Sequence, residues 1–128
     1  MNTLGIGVDI IENKRVKKSL LNRKFLSRIF SNSEINDSRK SVNKAGFFSK
    51  RFAAKEAFSK ALGVGIRKGI DLKNIQVSND NYGKPSIKLK GNVASYLKKR
   101  IKRKKYNIYL SLSDDKPWAQ ATVIISYN

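Results

Sequence analysis

Glu56 and Lys60 stand one helical turn apart in Arg51-Phe52-Ala53-Ala54-Lys55-Glu56-Ala57-Phe58-Ser59-Lys60, and their types and spacing could do chemistry. A carboxylate among Arg51, Lys55 and Lys60 can be an ordinary surface partner that stabilises its helix by about 0.2 to 0.5 kcal/mol. It can also hold a hard divalent cation while the basic groups bind phosphates, because Mg2+ is usually held by one or two carboxylates plus phosphate oxygens. The second use requires another carboxylate. In Leu4-Gly5-Ile6-Gly7-Val8-Asp9-Ile10-Ile11, alternation puts Asp9 on one face with Gly5 and Gly7, which leaves open space beside it. Such space suits a metal or a ligand backbone; an aspartate at a strand end is the alternative.

The element carrying Glu56 reads as a helix from Lys50 to Leu62, rich in alanine, lysine and leucine and ended by Gly63 and Gly65. At about 100° per residue, Phe47, Ala54, Phe58 and Ala61 share one side, so that side faces the core, with Ala53 and Ala57 allowing close approach. Glu12 to Ile29 is expected to be one helix, with Val16, Leu20, Leu21, Phe25, Leu26 and Ile29 on its apolar face and a basic opposite face. Ser31 and Glu34 have the spacing of a capping box, which makes Glu34 a residue that starts a helix. Arg67-Lys68-Gly69 reads as a basic connection after the central helix.

Further on, Asp71 to Ser78 and Ser86 to Leu89 read as strands around the turn Asn79-Asp80-Asn81-Tyr82-Gly83-Lys84-Pro85. A helix over Asn92 to Lys105 follows, then a hairpin of Tyr106 to Ser113 and Ala119 to Ile125. This order predicts an α+β fold in one domain, residues 1–128, with a mainly antiparallel sheet.

Twenty-eight basic against nine acidic residues give a net charge of +19 and call for a polyanionic partner. Without cysteine or histidine, disulfides, thiolate chemistry and the usual zinc sites are excluded. No apolar run reaches membrane-spanning length and the first residues lack a signal-peptide layout, so a reducing cytoplasm is the expected location and no membrane partner is expected. The run Lys98 to Lys105 is the strongest nucleic-acid signal, yet cations at a helix C-terminus are equally ordinary. A basic nucleic-acid-binding module is therefore the competing class, and it leaves Asp9 and Glu56 idle. Gly5 and Gly7 do not make a dinucleotide fingerprint, since Ile10 stands where the third glycine would be.

Three stretches, Gly5-Ile6-Gly7-Val8-Asp9-Ile10, Arg51 through Gly65, and Asn81-Tyr82-Gly83-Lys84-Pro85, together resemble the holo-acyl-carrier-protein synthases. Phe30-Ser31 with Glu34, and Ser111-Leu112-Ser113 with Ala119 to Ile125, extend the likeness over essentially the whole chain. The resemblance implies the 4'-phosphopantetheinyl transferase fold and transfer of phosphopantetheine from coenzyme A to a serine of apo acyl carrier protein, in support of fatty acid biosynthesis. It implies Mg2+, or Mn2+, on Asp9 and Glu56; the mechanism expected on that basis has the carrier serine losing its proton to a metal-bound water or to Glu56, and Lys60 neutralising the departing phosphate. Arg51, Lys55 and Gly63 would line the coenzyme A site, with Tyr82, Gly83 and Pro85 near its adenine end. Arg15, Lys18, Arg23, Lys24 and Phe25 would dock the acidic carrier, and the assembly would be a homotrimer with sites between subunits. Nucleic acid is not an expected partner. Where the family commonly has histidine after Ser-x-Ser, this chain has Asp114, which would repel phosphate unless turned away or paired.

Overall fold

The computed structural model describes residues 1–64 and 69–128, so Gly65 as a helix terminator and the Arg67-Lys68 connection lie outside the described residues. Strand β1 (Asn2–Glu12) is followed by short helices α1 (Asn13–Ser19), α2 (Arg23–Ile29) and α3 (Asn32–Ser38), then the long α4 (Lys44–Leu62). A 3-10 turn (Leu72–Asn74) leads into β2 (Ile75–Asn79) and β3 (Pro85–Leu89), and α5 (Gly91–Arg100) precedes β4 (Tyr106–Asp115) and β5 (Trp118–Tyr127). The sheets are antiparallel throughout: β5 is central between β1 and β4, and β2 pairs with β3.

Helix α4 crosses the inner face of the three-stranded sheet, and the α+β class expected from the pattern holds. Asn43 caps its start by accepting from the Gly46 amide, and Gly63 ends it in the left-handed region at φ 82°. Burial is not confined to one stripe. Phe48, Ala53, Ala54, Ala57, Phe58, Ala61 and Leu62 are buried, and so are Arg51 and Lys55. The sheet covers one side of the helix, while α3 and β2 close over another.

Gly5 and Gly7 serve that packing. A Cβ on Gly7 would lie 1.8 Å from the Ala57 carbonyl oxygen, and one on Gly5 would lie 1.9 Å from that of Ala61. The space expected beside Asp9 is therefore occupied by the α4 backbone: small residues on strand and helix let the two approach until no side chain fits between them. The other row of β1 faces outward, with Ile6 and Ile10 more than half exposed.

Two expected helices are shorter. Glu12 to Ile29 is interrupted because β1 runs to Glu12 and Asn22 starts a new helix by accepting from the Lys24 and Phe25 amides. Leu21 falls in the interruption and is exposed, whereas Val16 and Ile29 are buried. Helix α5 stops at Arg100, and Lys102 and Arg103 turn away with positive φ. Like charges spaced four apart, Lys98 with Lys102 and Lys99 with Arg103, disfavour continuing it. The strand expected from Asp71 starts only at Ile75, after the 3-10 turn.

Candidate active site

The capping box at α3 is present: Ser31 Oγ accepts from the Glu34 amide, and Glu34 Oε1 accepts from the Ser31 amide at 2.9 Å. Glu34 also takes Lys55. Its Oε1 lies 2.8 Å from Lys55 Nζ, its Oε2 accepts from the Val77 amide at 3.0 Å, and Lys55 Nζ donates to the carbonyls of Leu72 and Ile75. Neither side chain has appreciable solvent contact. Burial pushes the Lys55 ammonium below its ordinary pKa, against the attraction of Glu34. The resemblance implies that Lys55 lines the coenzyme A site, but its three donors are spent inside the fold. It is the knot joining α3, α4 and β2.

On another side of α4, Glu56, Lys60 and Asp9 come together. Lys60 Nζ donates to Asp9 Oδ1 at 3.1 Å and to the Val8 carbonyl at 3.0 Å, so the ion pair joins helix to strand and does not run along the helix to Glu56. Lys60 is exposed, Glu56 is half-buried, and the Asp9 side chain is 16% exposed. Burial and then the nearby Asp9 charge raise the Glu56 pKa, while Lys60 pulls it down. Two carboxylates close enough to repel, at least one of them partly desolvated, suit a divalent cation that accepts further oxygens from a phosphorylated ligand. Among the described residues no group of three or more acidic side chains forms a self-sufficient metal cage. A ligand would have to complete the coordination.

Arg51 lies on the far side of the helix, about 140° around the axis from Glu56. Its guanidinium stacks 3.6 Å over the Phe47 ring and donates through Nη2 to Asn79 Oδ1 at 2.8 Å, while its buried Nε has no partner. Desolvation lowers the Arg51 pKa, opposed by Glu34 and Asp37. With Gly83, Pro85, Lys50 and Asp114 it lines a cavity of about 270 Å3. Gly83 takes φ 85° in a turn held by Asp80, whose carboxylate accepts from the Tyr82 and Lys84 amides. Arg51, Gly83 and Pro85 thus line one cavity. Tyr82 does not join them; its side chain stands in solvent. Gly63 is about 18 Å from Arg51 along α4 and caps the helix at the other end.

Asp114 is paired: its carboxylate lies 3.5 Å from Lys50 Nζ. Lys50 and Asn79 are the residues of this cavity that sequence reasoning did not single out. Their only signals were the cation preceding Arg51 and an asparagine opening the turn.

A third feature lies beside α1. Ile11, Arg15, Lys18, Phe25 and Phe52 line a groove of about 400 Å3, apolar at its base and basic at its rim. Arg23 and Lys24 occupy the first turn of α2 and are exposed, outside the groove lining.

A helix laid over an antiparallel sheet carries paired carboxylates on one side and a separate cationic cavity on another, an arrangement suited to a phosphorylated ligand. The family model described as 4'-phosphopantetheinyl transferase superfamily matches residues 5–121, and the chain belongs to that superfamily. Within it the chain falls with the holo-[acyl-carrier-protein] synthases and is an enzyme of that type. The synthase of Pelagibacter ubique is 51% identical over 125 residues, covering 98% of each chain. The crystal structure of the Bacillus anthracis synthase in complex with CoA (3',5'-ADP) superimposes with a TM-score of 0.80 at 35% identity over 100% of both chains. That of Neisseria meningitidis gives a TM-score of 0.86 at 31% identity, covering 97% of this chain and 98% of the other.

Proposed function

We propose that this enzyme, a single domain over residues 1–128, moves the 4'-phosphopantetheine arm of coenzyme A onto a serine of apo acyl carrier protein. Adenosine 3',5'-bisphosphate is released, and the holo carrier serves fatty acid biosynthesis in the cytoplasm. The observation that carries this reading is the meeting of Asp9, Glu56 and Lys60 across the α4–β1 contact. Asp9 and Glu56 would hold Mg2+, or Mn2+, which when bound supplies positive charge to the coenzyme A diphosphate. Glu56 is also the carboxylate that would take the proton of the carrier serine. Lys60, anchored on Asp9 yet exposed, is suited to neutralise the phosphate of the leaving group. Arg51 and the Gly83-Pro85 turn hold the adenine end of the donor.

Incubation with coenzyme A, Mg2+ and apo carrier protein, followed by mass spectrometry of the carrier, tests the transfer. The expected result is a mass gain of one phosphopantetheine, abolished by chelation. An unmodified carrier under these conditions rejects the reading.

Asp9 lies on one edge strand and Asp114 on the other, with α4 crossing between them. A donor touching both the carboxylates and the Arg51 cavity is therefore more easily shared between neighbouring chains than wrapped around one helix. The outer sheet face exposes Ile6, Val8, Ile10, Tyr109 and Trp118, an apolar surface suited to burial between subunits. The expected assembly is a homotrimer with sites between subunits. Sedimentation should give three times the chain mass, and a monomer at assay concentration would contradict it.

Acyl carrier proteins are acidic, and the α1 groove offers them Arg15 and Lys18 around the Phe25 ring. Charge reversal at both cations should raise KM for the carrier by about tenfold or more while leaving KM for coenzyme A nearly unchanged. Equal changes for both substrates would place the carrier elsewhere.

A further inference from the structure

Asp114 puts a negative charge on the wall of a cavity otherwise built for an anion. Arg51 is 5% exposed, held by Phe47 and Asn79, and keeps a buried Nε without a partner. Lys50 enters the same cavity from the preceding helical position. The Lys50–Asp114 contact differs from the buried Lys55–Glu34 pair: at 3.5 Å, with the two side chains 34% and 46% exposed, it is a weak tie in a wet setting. Ser113, adjacent on β4, donates its hydroxyl proton to Gln120 Oε1 at 2.9 Å, so that proton is not offered to the cavity.

We propose that Lys50 is a specificity determinant for a phosphate monoester in the Arg51 cavity and that Asp114 is its built-in competitor. On this assignment the Lys50–Asp114 pair exchanges for a Lys50–phosphate pair when the donor binds. The inference rests on the transferase reading, in which the donor's adenosine carries a ribose 3'-phosphate. A phosphate dianion outbids one carboxylate for an ammonium group in such a half-exposed position. Asp114 then weakens donor binding and, by the same exchange, eases release of the bisphosphate product. Its repulsion acts only on a ligand that brings the monoester, so the pair sets how strongly coenzyme A is separated from dephospho-coenzyme A.

The experiment measures kcat and KM of the full-length enzyme with coenzyme A and with dephospho-coenzyme A as donors. Lys50→Met should raise KM for coenzyme A by about tenfold and move that for dephospho-coenzyme A less than about twofold, with kcat little changed. Lys50→Arg should restore most of the loss. Asp114→Asn should lower KM for coenzyme A by about threefold and leave the dephospho donor unaffected. Both positions are partly exposed, so the variants should fold, which circular dichroism checks. Equal shifts for the two donors in Lys50→Met, or a raised coenzyme A KM in Asp114→Asn, would overturn the proposal. Absence of transfer from either donor by the unaltered enzyme would instead reject the reading on which it rests.

Discussion

Glu56→Gln is expected to lower the rate of phosphopantetheine transfer by about 10³-fold or more while the protein stays folded. Glutamine keeps the shape and hydrogen-bonding reach of the side chain but removes the charge that a divalent cation and a serine proton both require. Losing one of two carboxylate ligands costs several kcal/mol of charge stabilisation on the diphosphate, and each 1.36 kcal/mol is about tenfold in rate. Stability supplies an independent readout. Burial and Asp9 raise the Glu56 pKa above the ordinary value of 4.5, so the folded state holds this proton more tightly than the unfolded chain does. Without metal, the contribution of Glu56 to stability is present at low pH. It is lost as pH rises from the ordinary value through the raised one. Mg2+ binding to the ionised pair, as proposed, would stabilise the folded state in that range. The expected result is a rise in Tm on adding Mg2+ that grows with pH in the unaltered protein and nearly vanishes in Glu56→Gln. A variant that keeps full activity, or an equal Mg2+ response in both proteins, would remove Glu56 from the site.

Lys55→Met is expected to cost about 3 to 5 kcal/mol of folding stability, read from the urea midpoint. The substitution leaves the buried Glu34 carboxylate without its cation and takes the Nζ donor from the Leu72 and Ile75 carbonyls, of which Leu72 still accepts from the Ile75 amide. An unpaired buried charge is costlier than no charge. Glu34→Gln combined with Lys55→Met should therefore recover part of the loss, whereas two independent defects would add. A single-variant cost below about 1 kcal/mol would show that the pair is dispensable. Because the knot joins α4 to β2, whose turn carries Gly83 to the Arg51 cavity, the variant should also weaken coenzyme A binding through the position of that turn.

Much of the local architecture was legible in the residues. Gly63 stops α4 because it takes positive φ without a Cβ penalty, and Ser31 with Glu34 starts α3 by satisfying amides that a helix leaves free. Alternation in Tyr106 to Leu112 and Ala119 to Ile125 reads directly as the hairpin of β4 and β5. Asp9 and Glu56 could be nominated as partners from residue type, spacing and resemblance. The interruption at Asn22 was harder to see, because the apolar period carries across it and only the capping geometry separates α1 from α2.

What sequence alone determined, then, is the set of local decisions: which segments coil or extend, where they stop, and which side chains are able to carry charge chemistry. Tertiary structure decided which of those charges are sealed inside the fold and which reach the surface. Lys55 and Lys60 sit five positions apart on one helix with the same chemistry; one is sealed against Glu34, twenty-one residues away in sequence, and the other reaches Asp9 at the surface. The glycines beside Asp9 likewise turned out to admit the α4 backbone, not a ligand. The physical reason is that periodicity and capping act over a few residues, whereas desolvation depends on which distant element closes over a side chain.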